Sequence, residues 1–220
     1  MRNARASDTD DDPVLKACPA AVEFYQKREM LEKQREAERK PVVLPKLREQ
    51  LLAWVKPDQD VRNEMVSAAA SDPAKFKRLA SRMRAVDESS YRRIKGVIDE
   101  YGFPTDTMVG RDGAGAAFLL VQHQDAHPEF QQFVLDIMTS WVRRDEVDRE
   151  SFALLTDRVL VAQKKPQRYG SQFRGTNGGA MEMQPVEDPE HLDQRRAEVG
   201  LPPMAVYRCI MGQMYRAAVK

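Results

Sequence analysis

The chain has 220 residues, enough for one full domain with appendages or for two domains. Lys and Arg total 35 against 34 Asp and Glu, a net charge of +1, which supplies neither the basic field nucleic acid requires nor an acidic field for cationic partners. The composition, 42% hydrophobic and 31% charged, is that of a soluble globular protein with no apolar run near the roughly 20 residues that span a bilayer.

The polar start "MRNARASDTDDDP" has no apolar core of the kind a secretory signal needs. The expected location is the cytoplasm, with neither a membrane nor a nucleic acid as partner. Cys18 and Cys209 lie near opposite ends of the chain. A disulfide between them is possible, but free thiols in a reducing compartment are the plainer expectation, and two cysteines without CxxC spacing do not make a structural zinc site.

Residues 1–21 read as disordered or loosely attached. Residues 22–40, "VEFYQKREMLEKQREAERK" in sequence, are good helix formers with Phe24, Met30 and Leu31 as sparse apolar positions. They predict a charged helical arm, solvated or offered to a protein partner. From residue 41 to 207 the pattern predicts a helical domain. Leu47, Leu51, Leu52 and Trp54 are at helical spacing, Pro57 should kink or restart that helix, and Asp58 and Arg62 form an i,i+4 pair. A cap-and-proline start at Ser71 to Pro73 precedes the next helix. Tyr91, Ile94, Val97 and Ile98 share one side of an amphipathic stretch that ends at Gly102.

"FPTDTMVGRDGAG" reads as a glycine-rich loop, with Asp112 capping the apolar helix "AAFLLVQ" behind it. The "DGAGAA" run lacks the lysine and spacing of a P-loop and follows no strand, so it is not a nucleotide fingerprint. After Pro128 a buried helix is expected, with Phe130, Phe133, Val134, Ile137, Met138 and Trp141 inward. A further helix places Phe152, Leu155, Val159 and Leu160 inward. Around residues 166–186, "PQRYGSQF" and "AMEMQPV" alternate about the turn chemistry of "RGTNGG", which predicts a β-hairpin. A short helix in "EDPEHLDQRRAEVGLPP" follows, and residues 208–220 form a tail that could hold a last short helix. The fold expected is mainly α, a single helical domain with a small C-terminal β-hairpin and the charged arm.

The ordered blocks "KPDQDVR", "VDESSYRRIKGVIDEYGFP", "VGRDGAGAAFLLVQHQDAHPEFQ", "LLTDRVLV", "KPQRYGSQF" and "EDPEHLDQRRAEVGLPPMAVY" carry a resemblance. Together they resemble a bacterial domain-of-unknown-function family, family 6624, with its pattern DQxxR, G(W/F)P, VGxxGAxAAxLLxQHxDxxPxFQ, DRV, QxYGTQ and RRxxxGL. The resemblance spans residues 45–207 and brings no activity with it. It directs attention to the block residues His123, Asp125, Asp157, Arg158, Gln167, Tyr169 and Gln172. Two positions depart from the pattern: Ser171 stands where Thr is usual, keeping the hydroxyl, and Gln124 where a small residue is usual.

Three groups carry candidate chemistry. In "QHQD", His123 has the side chain whose unperturbed pKa, about 6.5, suits proton transfer, with Gln122 and Asp125 beside it. Residues i and i+2 on a helix do not face each other, so Asp125 would act from the helix end. The plain alternative is a helix terminus whose polar groups satisfy the local backbone. In "TDRVLV", Asp157 could orient His123 and Arg158 could bind an anionic group, or the two could form an internal ion pair. As a strand, "QRYGSQF" would put Gln167, Tyr169 and Ser171 on one face, a row suited to hydrogen-bonding a polar ligand, with Gln172 on the other. An exposed polar hairpin is the alternative.

The sequence expectation is an enzyme of hydrolase or lyase type acting on a small molecule or peptide side chain. His123 is its general acid/base, Asp125 or Asp157 orients it, and Tyr169 donates a hydrogen bond to a developing anion and helps fix the substrate. Arg62, Gln122, Arg158, Gln167, Ser171 and Gln172 bind substrate. The alternatives are a non-catalytic binding or immunity-type module, and a metal-dependent enzyme using His123 and Asp125, for which the ligands are few. No nucleophile elbow and no redox motif is present, so no cofactor is expected. His127 and His191 read as exposed.

Overall fold

The computed structural model describes residues 13–37, 41–68, 72–176 and 179–220. Of the segment 1–21 expected to be loosely attached, the part before residue 13 lies outside the described residues, as do the end of the arm at 38–40, Ser71 and the turn residues Asn177 and Gly178; residues 13–16 and 19–21 are helical, with Cys18 and Ala21 buried. In chain order the elements are α1 (Pro13–Lys16), α2 (Pro19–Ala37), α3 (Pro45–Ala68), α4 (Pro73–Tyr101), α5 (Asp106–Gln122), α6 (Pro128–Val142) and α7 (Arg149–Ala162). Strands β1 (Phe173–Gly175) and β2 (Met181–Met183) follow, then a 3-10 turn (Pro189–His191), α8 (Leu192–Glu198) and α9 (Met204–Tyr215). The protein is mainly α with a small antiparallel hairpin, as its sequence predicts. No helix among the described residues is long and apolar enough to cross a membrane.

Contacts group the chain into two compact units, Pro41–Gln163 and a second formed by the N-terminal helices with residues 164–220. In the first, α5 is the central element. Val109, Gly113, Ala114 and every residue from 116 to 122 are buried, because α3, α4, α6 and α7 all pack on it. Small residues permit this: a Cβ added at Gly113 would stand 2.9 Å from Val109 Cβ and 3.2 Å from Arg48 Cγ. The segment expected to be a loop is helical from Asp106, with a break at Gly110, whose φ of 72° only glycine adopts freely. Beyond the break, the Asp112 carboxylate accepts the Gly113 N–H and pairs with Arg48 of α3 at 2.8 and 2.6 Å. The helix's N-cap is Thr105 rather than Asp112; Asp112 instead ties α5 to α3.

Pro57 does not restart α3, which is continuous from residue 45 to 68. Pro57 and Ala53 are both exposed, so the carbonyl that loses its amide partner faces water, while Leu51, Asp58 and Val61 carry the buried face past it. At α4 the cap is Asp72, accepting from Lys75 N, with Pro73 in the first turn. One residue assigned to the buried face of α6 is not there: Phe133 is exposed, while Phe130, Val134 and Met138 are buried.

In the second unit the hairpin is shorter than the alternation suggests. β1 and β2 pair only as Phe173↔Met183, Arg174↔Glu182 and Gly175↔Met181, and Gln167 makes a single bridge to Val186. Gly170 breaks the run with φ 67°, turning "RYGS" into a loop. Leu192, Met204, Tyr207 and Met211 form the core beneath, with Phe173, Met181 and Met183 packed on it. Gly170→Ala is expected to cost about 1–2 kcal/mol, mainly left-handed backbone strain. The flexible ends of Met204 and Met183, 2.7 and 3.1 Å from the new Cβ, can give way. Urea denaturation checks this, and an unchanged midpoint would refute it.

The two cysteines are not free thiols: Cys18 and Cys209 are joined as a disulfide with Cα atoms 6.0 Å apart. The sequence pattern could not show this, because residues 191 apart are brought together by the packing of α1 and α2 on α9.

Candidate functional site

His123 is the C-cap residue of α5, where the apolar run meets the turn leading to Pro128. Its Nδ1 lies 2.9 Å from both carboxylate oxygens of Asp58. Asp58 therefore orients the ring, rather than Asp125 or Asp157. Asp58 is on the buried face of α3 at 1% exposure, and every donor around it is used: Gln59 Nε2 donates at 2.7 Å and Arg62 Nε at 3.0 Å. Arg62 Nη2 donates to Asp87 of α4 at 2.6 Å. One guanidinium thus spans carboxylates on two helices, a geometry lysine's single ammonium does not reproduce.

Asp125, given a catalytic part by its neighbourhood in sequence, has another partner. Arg158 Nη1 of α7 donates to both its oxygens at 2.8 and 3.0 Å. Asp157 is fully buried in α7, as the pattern around it requires. Gln122 is buried, and its backbone oxygen accepts from Gln131 Nε2 at 2.9 Å. Gln124 is also buried and donates to the Leu120 carbonyl.

His127 is not simply exposed. Its ring stacks on Tyr91 with centroids 3.6 Å apart and planes 6° from parallel, and Glu88 and Glu129 each lie 3.7 Å from its nitrogens. His191 is exposed and paired with Asp188. Among the described residues no three His, Cys, Asp or Glu side chains gather as ligands for a metal ion.

Burial pushes His123 down to about 4, reinforced by the Arg62 and Arg158 cations and opposed by Asp58. At neutral pH the ring is uncharged and donates Nδ1–H to Asp58, which leaves the lone pair on Nε2. Burial works against the Asp58 carboxylate, but the hydrogen bond and charge of His123, with Arg62 and Gln59, outweigh it and hold that carboxyl below its ordinary range. Burial also pushes Asp87 up to about 6. Arg62 opposes that rise, while the charges of Asp58 and Asp125 add to it.

These shifts have opposite consequences for stability. Asp87 binds its proton more readily folded than unfolded, so its contribution is full below its ordinary 3.8 and is lost as pH rises through about 6. His123 binds its proton less readily folded, so its contribution is full above 6.5 and is lost as pH falls toward about 4. Each effect amounts to roughly 3 kcal/mol at most, and over the shared window they offset one another. Asp87→Asn is expected to unmask the histidine, so that the urea midpoint climbs as pH rises from near 4 to near 6.5. A slope no steeper than that of the unsubstituted protein would refute the assignment.

The remaining candidates lie in the second unit and bind one another. Gln167 is fully buried and acts as an internal peptide group: its amide donates to the carbonyls of Gln172 and Gln184 at 3.0 and 2.8 Å and accepts from Gln172 N at 2.8 Å. Gln172 Nε2 donates to Ser171 Oγ, and the Ser171 carbonyl accepts from Tyr207. Tyr169 is buried, its carbonyl accepts from Arg196 Nη1, and the Arg168 guanidinium lies over its ring. The row of ligand-facing groups on a strand is absent because Gly170 turns the backbone. These side chains secure a loop.

Sequence reasoning missed Asp58 as the partner of His123, and with it Asp87 and the Tyr91–His127 stack. The available signal was the "DQDVR" block, whose polar residues recur one turn apart. No curated protein and no solved structure matches the chain. A family model described as a family of unknown function (DUF6624) matches residues 45–220, which takes in the blocks that supply Asp58, Arg62, His123, Asp125 and Arg158, and the chain belongs to that family.

Proposed function

We propose that the protein is an enzyme of hydrolase or lyase type acting on a small polar molecule or a peptide side chain, with His123 as general acid/base. The observation that carries this reading is the 2.9 Å contact between His123 Nδ1 and the Asp58 carboxylate. A neutral ring held this way presents Nε2 as the base, and an ionised carboxylate stabilises the imidazolium as it forms. Arg62 holds Asp58 in place. Arg158, paired with an Asp125 side chain that is 68% exposed, is the cation that an anionic substrate group would engage by displacing Asp125.

The test is turnover of a panel of p-nitrophenyl esters, p-nitroanilides and phosphoesters by the unsubstituted protein and by His123→Gln. A loss of roughly 10²–10⁴-fold with the fold intact is expected. Equal turnover in both proteins refutes the role of His123.

A second reading, a non-catalytic binding module, is favoured by one observation: the His123 side chain is 10% exposed and Asp58 1%, as in a polar network that pins helices together. No turnover, with the His123 imidazole resonance unmoved by every compound, would support it. A cytoplasmic setting belongs to this proposal too. It must accommodate the Cys18–Cys209 bond, and disulfides in reducing compartments are typically transient or redox-sensing.

A further inference from the structure

We propose that the groove between the start of α3 and the end of α4 binds a small planar aromatic ring that carries an anionic group, a carboxylate or a phosphate. The inference does not depend on His123. The cavity has a volume of about 690 Å³, within the roughly 300–1,000 Å³ typical of small-molecule sites. Leu47 and Val97, both buried where α3 packs on α4, give it an apolar floor. Its shape is set without a ligand, because the segment leading into α3 is pinned to α5. Val43 N donates to the Thr107 carbonyl at 3.2 Å, and Leu44 N donates to the Met108 carbonyl at 2.8 Å. A cleft ordered in advance has less entropy to lose on binding.

Two aromatic side chains reach the groove, Trp54 of α3, half-buried, and Tyr101 of α4, 42% exposed. Such surfaces hold a flat ring by stacking or edge contact. The charged groups on the walls are Lys46, Arg93 and Glu100, two cations against one carboxylate. Glu100 accepts from the Tyr101 hydroxyl, which pushes that phenol up. Arg93 is held over the Trp54 ring, 5.6 Å from its centroid. Neither Lys46 nor Arg93 forms an ion pair among the described residues, whereas Arg48, Arg62 and Arg158 of the same unit each hold a carboxylate. Two cations left unneutralised beside an indole suit a ligand whose ring rests on the aromatic surface while its anionic group reaches the guanidinium.

Gly96 is an independent sign of an occupant. It stands in the interior of α4 and lines the groove, although glycine weakens a helix at such a position. A Cβ built on it meets nothing within 4 Å, in contrast to Gly113, where it would stand 2.9 Å from Val109. Helix packing therefore requires glycine at 113 and not at 96. What Gly96 does is leave the wall bare, so that a flat ligand can lie against the α4 backbone.

The experiment is a two-dimensional proton–nitrogen NMR titration of the full chain with adenosine monophosphate and with 2-naphthoate. Adenosine and 2-naphthylmethanol serve as their uncharged counterparts. The chain has two tryptophans, and Trp141→Phe assigns their indole resonances. At least one anion is expected to bind about tenfold or more tighter than its counterpart, moving the Trp54 indole resonance and not that of Trp141. Which anion binds tells phosphate from carboxylate. Gly96→Gln is expected to raise the urea midpoint by restoring helix propensity, and to weaken binding about tenfold or more by filling the groove. Arg93→Gln should weaken the anions about tenfold and leave the uncharged compounds as they were. Saturable binding by neither anion, equal affinity for charged and uncharged compounds, or a stationary Trp54 resonance would overturn the proposal. So would a Gly96→Gln protein that is more stable and binds as tightly as the original.

Discussion

Asp58→Ala is expected to destabilise the protein by roughly 3–5 kcal/mol, the cost of breaking a buried ion pair from one side. The carboxylate is 1% exposed and accepts from three side chains: the His123 ring, the Gln59 amide and the Arg62 guanidinium. Removing it leaves the buried His123 N–H without an acceptor and deprives Arg62 of one of its two carboxylates. Asp58→Asn separates charge from shape. Its one oxygen can still accept from His123 and Arg62, but the charge is gone and an NH2 donor replaces the oxygen that accepts from Gln59, so about half of the loss should remain. Urea unfolding followed by circular dichroism measures both variants. A cost below about 1 kcal/mol for the alanine variant would mean that water replaces the carboxylate, and that the site is more open than its burial implies.

Arg196→Ala is expected to cost roughly 3–5 kcal/mol, combining a large cavity with lost hydrogen bonds. Arg196 has no exposed surface. Its Nε donates to the Pro202 carbonyl at 2.7 Å, Nη1 donates to the Tyr169 carbonyl at 2.5 Å, and the guanidinium lies 4.7 Å from the Tyr207 ring centroid. It ties α8, the 169–172 loop and α9 to a single planar group. Arg196→Lys should recover little, because one ammonium cannot reach two carbonyls while lying flat against a ring. A lysine variant as stable as the original would show that charge, not planarity, is what the position requires.

The helices were legible where apolar spacing was strong. Ile94, Val97 and Ile98 in α4 and Leu155 and Val159 in α7 are buried as their periodicity indicates. The "TMVGRDGAG" segment misled because glycines suggest a loop. Here they serve two other ends, a helix break at Gly110 and close helix contact at Gly113. The site was half legible. His123 stands out by its chemistry, but its partner lies 65 residues away, and local spacing offered only Asp125, which Arg158 takes. Arg196 lay in plain view within "DQRRAEVGL" and drew no role, since arginine pairs in a short helix ordinarily face water. The disulfide was invisible for the same reason as Asp58: a pairing made by tertiary contact leaves no mark in local sequence.

The packing of α3 on α5 has a kinetic consequence. Helical proteins usually fold quickly because their contacts are local. Here α4 stands between the two helices in the chain, and the pairs that join them, Arg48 with Asp112 and Asp58 with His123, are 64 and 65 residues apart. The whole of α4 must be looped out before either pair can form, and that closure entropy precedes any reward from burying α5. The unit should therefore fold more slowly than its helical content alone suggests, at a rate set by when its first and third long helices meet.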